Sequence, residues 1–155
     1  MGLDMYLTAT RYVSKYFVNT DEETSKTIGS LFPELAAFVD EDGSVPIKGV
    51  RIEAGYWRKA NAIHGWFVRN VQDGEDNCAK YPVQRDQLRE LRDCCQQVLD
   101  DPELADDLLP TESGFFFGST SYDDYYFDDL RETIAIIDRS LALPELWDFE
   151  YQSSW

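Results

Sequence analysis

Histidine occurs once in this chain of 155 residues and cysteine three times, and nowhere do the roughly 20 consecutive apolar residues of a membrane-spanning helix run together. Each shortage excludes something. With His64 the sole imidazole, any Ser-His-Asp or Cys-His mechanism would have to pass through it. It sits beside the apolar stripe of "GYWRKANAIHGWF", where no pattern pairs it with a nucleophile, and it reads as a hydrogen-bonded structural residue. Cys78, Cys94 and Cys95 lack the C-x-x-C spacing of a tetrahedral zinc site. An odd count with two adjacent members makes no disulfide framework and fits a reducing compartment. G-x-G-x-x-G, Walker A and D-x-D-x-D-G patterns are missing too, so neither a conventional nucleotide fold nor a calcium loop is expected. The opening "MGLDMYLTATRYV" alternates in polarity instead of forming the apolar region of a signal peptide, and Tyr6 stands where a myristoylation signal carries Ser or Thr. The expectation is a cytoplasmic protein with no metal, no cofactor and no enzymatic activity.

Positive charge is the next shortage: 14 Lys and Arg stand against 30 Asp and Glu, for a net charge of −16. Residues 48–92 hold nine basic and six acidic groups, whereas residues 93–155 hold two and sixteen. Long-range repulsion from phosphate backbones and anionic membranes excludes a general nucleic-acid or membrane binder and favours a basic protein partner. Regularly spaced carboxylates can occupy a groove built for DNA or RNA, because the same Lys and Arg side chains accept either set of anions. Asp106, Asp107, Asp123, Asp124, Asp128 and Asp129 are the candidates for such a face. Solubility is the plainer use of the same acidity. Asp123, Asp124, Asp128 and Asp129 could offer oxygen to Mg²⁺ or Ca²⁺, since positions 124 and 128 are one helical turn apart, but a solvated acidic face accounts for them.

Aromatic side chains, by contrast, make up 14% of the residues, far more than disordered chains carry, and the length suits one core. A single domain over residues 1–155 is expected. "GLDMYLT" has the period-two pattern of a half-buried strand, and "VPIKGVRIEAGYW" repeats it with Val50, Ile52, Ala54 and Tyr56 on the apolar side. Helices are expected after "NTDEE", capped at Thr20 or Asp21 and breaking near Gly29; over "LFPELAAFV"; and over residues 57–71. A short strand in "CAKYPV" precedes an amphipathic helix through Leu88, Leu91, Cys95 and Val98, and Asp101-Pro102 restarts a short helix. "WDFEYQ" alternates as a last strand. Strands at both ends and between helices, without a steady βαβ rhythm, predict an α+β fold: a mainly antiparallel sheet of about four or five strands covered by about four or five helices.

One stretch, "GFFFGSTSYDDYYFDDL", has an unusual mixture. Its apolar run between Gly114 and Gly118 is too short for a helix and reads as a buried strand. Ser121 then reads as the cap of a helix with Asp123 and Asp124 in its first turn, followed by a stripe of Tyr126, Leu130, Ile134, Ile137 and Leu141. In the basic middle, Arg58 and Lys59 are expected at a helix start, where free N–H groups favour anions, with Tyr56, Trp57 and Trp66 offering ring faces and His64 close by. That set could hold a phosphorylated nucleotide, unless its cations pair with the acidic third of the same molecule.

"MGLDMYL", "GYWRKANAIHGWF", "LLPTESGFFFGSTSYDDYY" and the closing "SSW" together resemble a group of small uncharacterised proteins of bacteriophage and prophage genomes, over nearly the whole chain. The resemblance carries no catalytic residue across. It implies a setting: a phage accessory product inside a bacterial cell, of a kind that interferes with host machinery or defence. Combined with the charge, the expected function is a non-enzymatic inhibitor that binds a basic host protein, such as a nucleic-acid-binding defence protein, by mimicking nucleic acid. The alternative is a binder that sequesters a phosphorylated nucleotide through Tyr56, Trp57, Arg58, Lys59 and His64. A homodimer is compatible with either.

Overall fold

Alternating polarity makes β1 (Asp4–Tyr12) a half-buried strand: Met5, Leu7 and Ala9 are wholly buried, with Leu3 just ahead of them, while Asp4, Tyr6 and Thr8 keep partial access to solvent. The structure is a computed structural model that describes residues 2–14 and 19–155, without the side chains of Asn19 and Thr20. After β1 come α1 (Asn19–Leu31), a 3-10 turn at Pro33–Phe38, β2 (Gly49–Arg58) and α2 (Asn61–Asn70). They are followed by β3 (Tyr81–Val83), α3 (Arg85–Asp100), a 3-10 turn at Pro102–Leu104, α4 (Ala105–Leu108), α5 (Asp124–Leu141) and β4 (Trp147–Ser154). The four strands form one antiparallel sheet in the order β2-β1-β4-β3, with Tyr81 opposite Tyr151 and Val83 opposite Phe149. The fold is α+β. No described helix is long and apolar enough to cross a membrane.

The chain divides into two compact units, residues up to Ala9 with Ile52–Trp155, and Thr10–Arg51. In the smaller one α1 lies against the 3-10 turn. Asp21 stands inside the first turn of α1, not at its cap; it binds the Arg11 guanidinium and accepts the Ser14 backbone N–H at 3.2 Å. The other proposed cap, the Thr20 side chain, lies outside the described residues. The helix also runs through Gly29 to Leu31. A Cβ at Gly29 would come within 2.9 Å of Val45, so this glycine makes room for the returning loop and does not stop the helix. "LFPELAAFV" contains the expected short helix, as a 3-10 helix over Pro33–Phe38 with Pro33 at its start.

In the larger unit, Leu3, Met5 and Leu7 of the β1 segment and Phe149 and Tyr151 of β4 meet Ile63 and Phe67 of α2. α3 contributes Leu88, Leu91, Cys95 and Val98, as their spacing predicts, and packs along α5. Each such buried Leu or Ile is worth about 1.5–3 kcal/mol over an exposed one. Phe67 stacks on Tyr151 with centroids 3.9 Å apart. Arg85 fastens the chain end of α5 to α3: its guanidinium donates to the carbonyls of Leu143 at 3.0 Å and Pro144 at 2.7 Å and lies over the Phe149 ring. The three cysteines are free, and burial pushes the Cys95 thiol far up, which removes it as a nucleophile.

Several local expectations are corrected. On β2 the buried positions are Gly55 and Trp57, not Ile52 and Tyr56, which are exposed. The reason lies in α5. Trp57 reaches the Thr133 hydroxyl at 2.9 Å, and a Cβ at Gly55 would meet Ile136 at 2.4 Å, so only the glycine face can accept this helix. Helix α2 begins at Asn61, not at residue 57, because Lys59 takes a left-handed φ of 62° that ends the strand first. The run Gly114–Gly118 is a turn and not a buried strand: Phe117 N–H bonds back to Gly114 O at 3.2 Å, and Phe115 is 95% exposed. The cap of α5 is Asp123, which accepts the Tyr126 N–H at 3.1 Å, and not Ser121. Tyr126, Leu130 and Ile137 are buried as expected, but Thr133, Ile136 and Ser140 complete the face that Ile134 and Leu141 only flank. Thr133 and Ser140 can lie inside because each hydroxyl donates to a carbonyl one turn back.

Candidate functional site

A cleft of about 460 Å³ opens in the larger unit where three separate pieces of chain meet: the β2–α2 corner, the loop 111–121 and the first two turns of α5. Asn61 builds it. The Asn61 amide donates to Phe117 O at 3.0 Å and Ser119 O at 2.8 Å, and its carbonyl oxygen accepts the Glu112 N–H at 2.9 Å. Three bonds from one buried side chain hold both arms of the loop against the start of α2. At the same place Gly118, with φ of 90°, lets the loop pass the Lys59 side chain; a Cβ there would stand 3.2 Å from it. Tyr126 anchors the opposite wall by donating from its hydroxyl to Leu109 O at 2.9 Å.

The floor of the cleft is apolar, from Ala60, Ile63 and Leu130, and its charged groups lie on two sides. Arg58 and Lys59 supply the cationic side. Among the described residues the Lys59 ammonium has no ion pair, and the Arg58 guanidinium has only Asp4, at 4.0 Å. Across from them, Asp123 is engaged as a helix cap, while the Asp129 carboxylate has no hydrogen bond or ion pair with the described residues. Burial pushes the pKa of Asp129 up to about 7, and the nearby charges of Glu132, Asp128 and Asp123 add to the shift. Tyr125 stands at the mouth, 81% exposed, with its ring free to receive a flat group.

The six carboxylates singled out from the sequence fall on two short pieces that are tied together. Asp106 and Asp107 are on α4 and the others at the start of α5; Tyr122 bridges the two by donating to Asp106 at 2.8 Å. Asp124 and Asp128 are exposed on one stripe of α5, whereas Asp129 turns toward the cleft. Of the six, Asp128 alone has an ion pair among the described residues, with Arg131 at 2.7 Å. The arginines of the central segment neutralise other acids: Arg92 binds Asp138 at 2.6 Å and Arg69 binds Glu112 at 2.6 Å.

The basic-aromatic set is split instead. Arg58 and Lys59 line the cleft, but Trp57 is buried in the core, and Tyr56 donates to Asp4 at 2.5 Å away from the cleft. His64 is 1% exposed and both of its ring nitrogens are taken. Nδ1 lies 2.7 Å from the Tyr151 hydroxyl and Nε2 lies 3.0 Å from Asp76, whose other oxygen accepts the Trp155 indole N–H at 3.0 Å. Since a carboxylate only accepts, Nε2 carries a proton, and the Tyr151 hydroxyl completes the second ring contact at Nδ1. This chain ties α2 to β4 and to the loop before β3. Ser113 borders a shallow depression of about 180 Å³ beside His64, but no nitrogen is left to activate its hydroxyl.

Asn61 and Tyr125 escaped sequence reasoning as parts of a site. Asn61 had no signal beyond its closeness to Arg58 and Lys59, because its partners lie more than 50 positions away. Among the described residues, no group of three or more His, Cys, Asp or Glu side chains is placed to hold a metal ion. No protein-family model matches the chain, no curated protein matches its sequence, and no solved structure matches its fold.

Proposed function

We propose that this protein is a non-enzymatic binder that docks the acidic end formed by α4 and the start of α5 into a basic groove of another protein, in competition with nucleic acid. The observation that supports this reading is spatial. Asp106, Asp107, Asp124 and Asp128 are exposed on two elements that Tyr122 and Tyr126 tie together, and one ion pair is all that offsets them among the described residues. Ordered anions held at a rigid surface complement the Lys and Arg of such a groove and steer association. The resemblance to phage and prophage proteins supplies a setting, interference with a bacterial nucleic-acid-binding or defence protein.

The test is a salt-sensitive pull-down from bacterial lysate, comparing the native chain with the variant Asp106→Lys, Asp107→Lys, Asp124→Lys, Asp128→Lys. Recovery of a nucleic-acid-binding protein whose DNA or RNA the native chain displaces, and at least tenfold loss in the variant, is the expected result. Equal recovery by both chains would remove the basis of the proposal.

The cleft favours a second reading, a phosphorylated small molecule held by Arg58 and Lys59. Its volume, apolar floor and few convergent polar groups are those of a small-molecule site. Trp57 and His64 take no part in it, since neither faces the cleft.

A further inference from the structure

The cleft has charges of both signs at separate places, and this restricts what can fill it. Arg58 and Lys59 are adjacent cations on the β2–α2 corner, and two positive charges match a phosphate better than a singly charged carboxylate. Asp129, on the second turn of α5, is half-buried at the wall of the cleft, and its carboxylate has no partner among the described residues. A carboxylate at the wall of a cleft offers acceptors alone, so it selects a ligand that presents donors to it. Between these poles lie the apolar floor and, at the mouth, the exposed Tyr125 ring. The complementary molecule has a phosphate at one end, a flat ring, and a pair of hydrogen-bond donors on the edge of that ring.

We propose that the cleft is a guanine-nucleotide site, in which Arg58 and Lys59 take the phosphate, Tyr125 stacks on the base and Asp129 accepts the two N–H groups of the guanine edge. The proposal rests on the second reading above and adds the identity of the base. A carboxylate has acceptors alone, so it pairs with the N1–H and N2–H₂ of guanine; adenine sets an acceptor beside its donor on the corresponding edge and meets repulsion there. Cytosine and uracil have less ring to cover Tyr125 and fill the volume less well. A free amino acid also has both charges, but it offers no ring and leaves most of the 460 Å³ empty.

The experiment is titration calorimetry on the intact chain at pH 8, where Asp129 is ionised, with guanosine monophosphate, adenosine monophosphate, guanosine and inorganic phosphate. The expected order places guanosine monophosphate about tenfold or more tighter than adenosine monophosphate. Arg58→Ala with Lys59→Ala should abolish nucleotide binding. Asp129→Asn, whose amide sets a donor against the guanine donors, should erase the preference between the two bases while phosphate binding persists, and far-UV dichroism of the variant establishes that it is folded. If both nucleotides bind alike and Asp129→Asn changes neither, the base assignment is wrong and the phosphorylated-ligand reading stands. If neither nucleotides nor phosphate bind, that reading fails as well.

Discussion

Asp129 is the residue at which charge, burial and pH meet. In an unfolded chain its carboxyl titrates near the ordinary value of 3.8, whereas in the fold burial and three neighbouring carboxylates raise it to about 7. Between these limits the folded chain holds a proton that the unfolded chain has released, so stability falls as pH rises from about 4 to about 7, and the full cost is present above 7. Partial contact with solvent reduces that cost to on the order of 1–2 kcal/mol. Asp129→Asn should therefore raise the melting temperature by about 2–6 °C at pH 8, with a clearly smaller gain at pH 5. Calorimetric melts at both values check this. A gain that is equal at the two pH values would mean that the side chain is destabilising for reasons other than charge. The same substitution is expected to erase base preference in the cleft, so stability and binding would change in opposite directions, as at sites where an unsatisfied group is kept for a ligand.

Among the elements, the loop 111–121 depends most on a single distant residue. Asn61 is 4% exposed and makes three hydrogen bonds to the loop, each a neutral pair worth about 1 kcal/mol, and removal leaves the buried ends unsatisfied. Asn61→Ala should cost about 2–4 kcal/mol in urea denaturation and should make the Gly114–Gly118 turn the first site of proteolytic cleavage. Intact resistance there would show that the Leu3 N–H to Phe116 O bond, at 3.1 Å, suffices to hold the loop. This dependence also explains which elements could be read from sequence. α3 was legible because Leu88, Leu91, Cys95 and Val98 form a helical stripe that needs only a core to face. The turn at Gly114–Gly118 was not, since three phenylalanines locally favour a strand and only distant partners override that preference. Partners decide, and here they are Asn61 and Leu3.

For the whole molecule the net charge of −16 sets the response to salt. Two effects oppose each other. Salt weakens exposed ion pairs such as Arg92–Asp138 and Arg69–Glu112, each worth about 0–1 kcal/mol, and it relieves repulsion among carboxylates that outnumber the cations throughout residues 93–155. Repulsion is the larger sum. Raising sodium chloride from about 20 mM to about 500 mM at pH 7.5 should therefore increase the melting temperature by a few degrees. A lower melting temperature in high salt would instead rank the surface ion pairs above the repulsion, and would weaken the case for an acidic end kept against its own cost.

Local pattern alone determined the α+β class, the terminal strands, α3 and the acidic bias of residues 93–155, because alternation, helical spacing and charge are properties of neighbours along the chain. Tertiary structure decided which face of β2 is inward, that Lys59 ends a strand and does not start a helix, and that Arg58 and Lys59 share a cleft with Asp129. Those outcomes turn on contacts between residues 57 and 133, 55 and 136, and 61 and 117. Steric fit and hydrogen bonding at such separations depend on how whole elements pack, and no short window of sequence contains both partners.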